Sequence, residues 1–259
     1  MLIIGEKLSI IAKRVREAMM KRDKGPIQEI AKAQQAHGAG MIDANIGPAE
    51  GQEDLMEWMV TTIQEVVHLP VCLDTTNYDA LEKGLRVHNN EWGRPLINST
   101  SNDPERHPIM ELAAKYNSDI IALTVGKGGL PADAEERCGI AAELMAIAGS
   151  FGVPMENIYL DPLVLQIATT QDQALKVVKT IKMFQELNDP PMKTVVGLSN
   201  ISNGCPKKIR PILNNHFLTL LLYEGLTAAI GDAEEIVTTV KTVDAILNNT
   251  LYAHSYLEM

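Results

Sequence analysis

The stretch KTVVGLSNIS, Lys193 to Ser202, begins as an apolar β-branched run and then changes at Gly197 to small and polar residues. Thr194, Val195 and Val196 suit a buried strand, so Gly197, Ser199 and Asn200 stand where that strand must end. The β-rich run here is TVVGLSN (194–200), and seven others recur along the chain: LIIGE (2–6), MIDANIG (41–47), VCLD (71–74), PLINST (95–100), DIIALTV (119–125), NIYLD (157–161) and AAIGD (228–232). Between them the apolar spacing turns helical. In IQEIAKAQQAHGA, Ile27, Ile30, Ala31 and Gln34 share one face and Gly38 closes the segment; AEERCGIAAELMAIAGSFG (134–152) behaves alike. Strands alternating with helices imply a parallel sheet. Eight such units in about 250 residues is the size of a (β/α)8 TIM barrel. The alternative, an open doubly wound sheet, usually has fewer strands and a Gly-rich turn after the first, and neither GxGxxG nor GxxxxGK[ST] occurs here. The expectation is one barrel domain over residues 1–259, with NDPPMK (188–193) as a connecting loop.

Composition narrows the partners. Charged residues make up 22% and hydrophobic residues 46%, which leaves no reason to expect long disorder. The formal net charge of −10 repels phosphate backbones and anionic lipid, which argues against nucleic acid. Cys72, Cys138 and Cys205 are odd in number and widely spaced, as expected of reduced thiols rather than disulfides or a zinc site. MLIIGEKLSI lacks a basic leader region and no window approaches a membrane span, so a cytoplasmic protein is expected.

In barrels of this kind chemistry sits at the C-terminal ends of the strands. Those ends carry Glu6, Asp43 with Asn45, Asp74 with Asn77, Asn98 with Ser99, Thr124 with Lys127, Asp161, Ser199 with Asn200, and Asp232. Carboxylates and amides dominate, and no histidine joins them. Metal hydrolysis is disfavoured by the missing His and carboxylate spacing, so no metal is expected, and phosphosugars are disfavoured by the scarcity of cations. A neutral heterocycle rich in N–H donors fits better, because a carboxylate offers two adjacent acceptors to an amino group beside a ring N–H. Pterins and purines present such edges. Each residue also has a purely structural reading: Asp161-Pro162 as a turn, Asn98 to Thr100 as a helix cap, Asp43 as a buried structural carboxylate, and Met19, Met20, Met56, Met59 and Met110 as core or interface filler. It is their coincidence at one end that favours a site.

The motifs DANIGP, EWMVTTIQEVVHLPVCLDTTN, INSTSND, YLDPLVL and VVGLSNIS, in this order and spacing, resemble the methyltetrahydrofolate:corrinoid methyltransferases, including the pterin-binding module of cobalamin-dependent methionine synthase. The resemblance implies that Asp74, Asn98 and Asp161 hold a pterin, that Asn200 reaches its N5, and that Gly197 and Ser199 line the same pocket; Glu6, Asp43, Asn203 and Arg210 are further candidates for substrate contact. It also implies tetrahydrofolate or 5-methyltetrahydrofolate as substrate, with Asn200 and Asp161 as the catalytic pair. An amide cannot act as a general acid, but it can accept a hydrogen bond from protonated N5 more strongly as charge develops there. The DxHxxG signature of cobalamin proteins is absent, so the corrinoid is expected to arrive on a partner protein. Relatives in this family often pair, which makes a homodimer the expected assembly. After GLSNIS the chain reads Asn203-Gly204-Cys205-Pro206-Lys207-Lys208-Ile209-Arg210, longer and more basic than the family loop. The folate glutamate tail, an acidic partner or plain solvation would each account for these cations. Two other functions stay open on sequence: a pterin-condensing enzyme resembling dihydropteroate synthase, which would need a catalytic Lys and Arg pair where only Lys127 is near a strand end, and a folate-binding subunit without catalysis.

Overall fold

The computed structural model describes residues 1–126, 128–250 and 256. Among them eight strands pair in parallel with their sequence neighbours: β1 (Leu2–Ser9), β2 (Met41–Asn45), β3 (Val71–Asp74), β4 (Leu96–Asn102), β5 (Asp119–Gly126), β6 (Ile158–Asp161), β7 (Lys193–Gly197) and β8 (Ala228–Gly231). β8 then pairs back onto β1, from Leu2 opposite Ala228 to Gly5 opposite Gly231. That closing ladder excludes the open sheet and makes the fold a (β/α)8 barrel.

Helices occupy every crossover. α1 (Lys13–Lys21) and α2 (Lys24–Ala36) follow β1, and α3 (Leu55–Gln64), α4 (Tyr78–Val87), α5 (Ile109–Tyr116) and α6 (Ala134–Ser150) follow the next four strands in turn. α7 (Ile167–Thr170) and α8 (Gln173–Gln185) follow β6, α9 (Arg210–Tyr223) follows β7, and α10 (Ala233–Ile246) follows β8. Side-chain caps start several of them. Asp23, Asn77 and Asp133 accept from Gly25 N, Ala80 N and Glu136 N at the heads of α2, α4 and α6, each satisfying a donor the helix cannot. Gly84 lets α4 press against its neighbours, since a Cβ there would stand 2.5 Å from Met56 Cγ and 2.6 Å from Leu73 Cδ2.

The apolar side chains form two layers. The outer one lies between strands and helices and includes Met19, Met56, Met59 and Met110, all buried; Met20 is exposed and belongs to neither. The inner layer fills the barrel with one residue from each strand: Ile4, Met41, Cys72, Leu96, Ile121, Tyr159, Val195 and Ala228. This plug makes the interior a packed core rather than a pore.

Strand ends depart from the sequence runs where backbone geometry changes. β1 runs on to Ser9 and β4 to Asn102, whereas β7 stops at Gly197 and the chain enters a 3-10 turn over Leu198–Ser202. The stretch from Asn98 to Thr100 is therefore strand rather than cap, and Asp103 caps the short turn that follows. Replacing one plug residue tests the packing: Ile4→Ala is expected to lower unfolding stability by about 2–5 kcal/mol, read as a drop in the denaturant midpoint, and a loss under about 1 kcal/mol would mean the layer is loosely packed.

Candidate active site

In a strand, residues two apart face the same way. Stepping two residues beyond each plug residue therefore gives the next inward side chain toward the C-terminal end. The eight steps reach Glu6, Asp43, Asp74, Asn98, Leu123, Asp161, Gly197 and Ile230, and all eight line one cavity of about 380 Å³ at the barrel mouth. The wall is polar from β1 to β4, apolar at β5 and β8, and acidic again at β6. Residues nearer the strand ends and in the loops complete it. Asn45 and Ser99 extend the polar wall, Ile11, Leu163 and Val164 add apolar surface, and the 3-10 turn after β7 brings Ser199 and Asn200, followed by Asn203.

Hydrogen bonds fix most of these groups. Asn45 Nδ2 donates to Asp74 Oδ2 at 2.5 Å, while Asn45 Oδ1 accepts from Gly47 N. Ser199 Oγ donates to Glu6 Oε1 at 2.6 Å, linking the turn after β7 to β1. Leu163 N donates to Asp161 Oδ1 at 2.8 Å, so the Asp161 carboxyl both starts a turn and lines the cavity. Asn203 Nδ2 lies 3.4 Å from Asn200 Oδ1, a long contact at the exposed rim. Asp43 Oδ1 is buried with no partner, a free acceptor at the base of the wall. Gly197 serves this arrangement in a specific way: a Cβ there would come within 2.9 Å of Asn200 Nδ2. The glycine makes room for the asparagine amide.

Other strand-end residues stand elsewhere. Thr124 is one residue past the inward position; it is buried behind the wall and donates to Asp161 O at 2.9 Å. Asn77 caps α4, and Asp232 is ion-paired with Lys7 outside the cavity. Arg210, the first residue of α9, donates through Nε to Cys205 O at 2.9 Å and is not among the lining residues; its guanidinium braces the loop it closes. Lys127 lies outside the described residues. Leu123 and Ile230 escaped the sequence reading because attention to polar residues skipped them; counting in twos from the plug finds both.

Residues 13–231 match the model of a family described as pterin binding enzyme. The chain belongs to the pterin binding enzymes. It is 27% identical to the methylcorrinoid:tetrahydrofolate methyltransferase of Eubacterium limosum, over 99% of this chain and 94% of that protein. It is 33% identical to the methionine synthase of Mycobacterium leprae and 32% identical to that of Mycobacterium tuberculosis, over 91% of this chain. It spans 20% of the length of each of those two proteins. Among solved structures, a Yersinia pestis DHPS with a pterine-sulfa conjugate superposes with a TM-score of 0.71 over 95% of this chain and 94% of that one, at 14% identity. A dihydropteroate synthetase solved with a product superposes at 0.72 over the same shares, also at 14% identity. These two show a shared fold.

In this pterin binding enzyme the cavity wall gathers four carboxyls, Glu6, Asp43, Asp74 and Asp161, and no Lys, Arg or His among the described residues. Burial disfavours their charged forms. It pushes Asp161 up to about 7 against the Leu163 amide, and Asp74 up to about 6 against the Asn45 amide. Asp43 is raised well above the ordinary range, first by burial and then by the charge of Asp74; Glu6 is raised by burial despite the Ser199 hydroxyl. Below them Cys72 is raised by burial too, and stays a thiol.

The wall therefore carries a stability penalty with a definite sign. As pH climbs from about 4 to 7, the unfolded chain has already released protons that Asp74 and Asp161 still hold, so folding stability falls across that window. Asp161→Asn removes the larger part of this dependence. The variant is expected to gain at least about 2–4 °C in Tm at pH 8, corresponding to roughly 1 kcal/mol in a domain of this size, and little at pH 4. Thermal unfolding of both proteins at the two pH values checks this; a variant less stable than the parent at pH 8 would show that the carboxylate is stabilised there rather than strained.

Proposed function

We propose that this protein transfers a methyl group between a corrinoid carried by a partner protein and N5 of tetrahydrofolate. The observation that carries the proposal is the meeting of Asp74, Asn98 and Asp161 in one cavity with Asn200 on its rim. Support comes from the relationship to the methylcorrinoid:tetrahydrofolate methyltransferase, which extends over nearly the whole of both chains.

The fit is chemical. A pterin presents an amino group and a ring N–H along one edge, and the carboxylates of Asp74 and Asp161 are acceptors for them, while the Asn98 amide can both give and accept. The unpartnered Asp43 Oδ1 deeper in the wall is a further acceptor for an N–H donor or a bridging water. Leu123, Ile230, Leu163 and Val164 give apolar contact to the flat faces. Ring donors stabilise the ionised carboxylates, so the substrate relieves part of the strain that burial imposes on them.

The corrinoid supplies the cobalt that gives up or receives the methyl group. This chain supplies orientation and control of the N5 proton. When N5 takes the methyl group it must lose its hydrogen, and the hydrogen bond to Asn200 Oδ1 is strongest while N5 is positively charged. Asn200 is exposed, so the proton can pass from there to solvent. Asn203 lies within reach of the same oxygen, and the space left by Gly197 lets the amide take up its position. Recognition of the partner falls to the rim, where Ile11 is 82% exposed and the loop at 203–209 is largely exposed.

Mixing the protein anaerobically with tetrahydrofolate and methylcob(III)alamin on its cognate corrinoid protein is expected to give the cob(I)alamin spectrum and methyltetrahydrofolate; unchanged spectra would reject the transfer. Asn200→Ala is expected to slow that conversion by ~10²-fold or more, the loss of one hydrogen-bond partner in the transition state, with a smaller change in folate affinity. A variant that transfers at the parent rate removes Asn200 from the chemistry.

A further inference from the structure

Arg137 is the largest wholly buried side chain among the described residues, with no measurable exposure. It lies on α6, behind the wall of the cavity and outside its lining. Among the described residues no carboxylate pairs with it. Its donors go instead to neutral oxygens on three separate segments. Nε donates to Pro162 O at 2.8 Å, Nη2 to Gln173 Oε1 at 2.9 Å, and Nη1 to Asp133 O at 3.1 Å.

Burying a cation with no carboxylate in ion-pair contact is expensive even with the charges of Asp133 and Glu136 nearby, and apolar residues of similar volume would fill such a space at lower cost. What an apolar residue cannot do is join three acceptors at fixed angles; the rigid guanidinium fork can. The tied segments are the residue capping α6, the head of α8, and the turn after β6. That turn is Asp161-Pro162-Leu163, and it holds an uncommon conformation. Leu163 has φ of +63°, a left-handed geometry that costs an ordinary residue about 1–2 kcal/mol.

One contact holds the turn from the cavity side and two from behind. The Leu163 amide donates to Asp161 Oδ1, Thr124 Oγ1 donates to Asp161 O, and Arg137 grips the carbonyl of Pro162 between them in sequence. If Pro162 swings, the Leu163 amide swings with it, because the two belong to one planar peptide. The Asp161 carboxyl then loses the donor that orients it.

We infer that Arg137 is a positioning residue for Asp161: it fixes the Pro162–Leu163 peptide, and through the Leu163 amide it aims the Asp161 carboxylate at the ligand. The inference rests on the pterin-binding role proposed for Asp161. It does not require the guanidinium to touch the substrate.

A double-mutant cycle on tetrahydrofolate binding to the full chain tests it, with Kd measured anaerobically for Arg137→Gln, Asp161→Asn and the pair. Arg137→Gln is expected to weaken binding about tenfold, in keeping with a lost hydrogen bond to a charged group. In the Asp161→Asn background the same change is expected to cost almost nothing, because the group it orients is gone. A crystal structure of Arg137→Gln should show Leu163 out of the left-handed region. Full affinity in Arg137→Gln, or losses that simply add in the pair, would overturn the inference, since a general loosening of the fold adds to any other defect. Gln173→Leu provides the check if Arg137→Gln fails to fold. It frees one arm of the fork at a half-buried position and should weaken binding by roughly threefold, the low end of a hydrogen bond's net worth; that effect should also vanish with Asp161→Asn, and an effect that persists there counts against Arg137. Failure of the parent protein to bind tetrahydrofolate would instead remove the pterin reading itself, leaving the position of Leu163 in the Arg137→Gln crystal as the measure of what the arginine holds.

Discussion

Closure of eight parallel strands imposes one constraint on which the remainder of the structure depends: every inward side chain is followed, two residues later, by another inward side chain one layer higher. At the level of Ile4, Met41, Cys72, Leu96, Ile121, Tyr159, Val195 and Ala228 the barrel must be filled, because unfilled space would forfeit the contacts that hold it together. One layer up, the wall opens into the mouth and filling is no longer required. Residues there are released from packing duty, and five of the eight are Asp, Asn or Glu. The site is therefore as rigid as the plug beneath it, since both layers belong to the same short strands.

That rigidity comes with strained electrostatics. Four carboxyls share a cavity with no compensating cation among the described residues, and burial raises each of them. Partial relief is supplied by neutral donors: Asn45 to Asp74, Ser199 to Glu6 and the Leu163 amide to Asp161. A cation placed there would relieve the strain more fully, but it would also occupy the acceptors that a donor-rich ligand needs. Neutral donors leave one carboxylate face open. The Arg137 guanidinium illustrates the same economy from outside, holding carbonyl groups behind the wall rather than pairing with the acids within it.

The barrel was legible in the sequence because alternating strand and helix patterns repeated often enough to count, and the closing pair of β1 with β8 then settled the choice against an open sheet. The polar part of the mouth was legible for a related reason: Asp74, Asn98 and Asp161 interrupt apolar runs, and an interruption at a strand end stands out. Leu123 and Ile230 obey the same geometry yet do not stand out, since an apolar residue ending an apolar run carries no contrast. Thr124 was polar and near the right place but lies off the inward register, and Asp232 keeps the parity of Ile230 but stands past the end of β8, at the head of α10, paired with Lys7. Arg137 was hidden more deeply. Within AEERCGIAAELMAIAGSFG it reads as one of several charged residues on a surface helix, and only the three-dimensional return of Pro162 and Gln173 to α6 reveals that it is buried. The end of β7 was misplaced because Leu198 and Ile201 are buried in a 3-10 turn as fully as strand residues would be.

Under the proposed reaction, the position of Asn200 follows from what its role there does and does not need. The cavity's carboxylates sit on strands, where their ionisation responds to burial and their directions are set by the pleat. Asn200 sits on a turn beyond the strand, exposed to water. A carboxylate or imidazole at that place would change its charge with pH and solvent, but an amide has no ionisation to tune, so exposure does not alter the group it presents. Under the proposed reaction the rim must also stay open, because the methyl group moves to or from a macrocycle carried by another protein and the N5 proton must reach solvent. A non-ionising group on a short turn satisfies both demands. The turn needs a defined origin, which β7 provides through Gly197, where any side chain would crowd the Asn200 amide, and through Ser199, whose hydroxyl anchors it across the mouth to Glu6. The change in composition at Gly197 thus marks the point where the chain passes from building the wall to presenting a group above it.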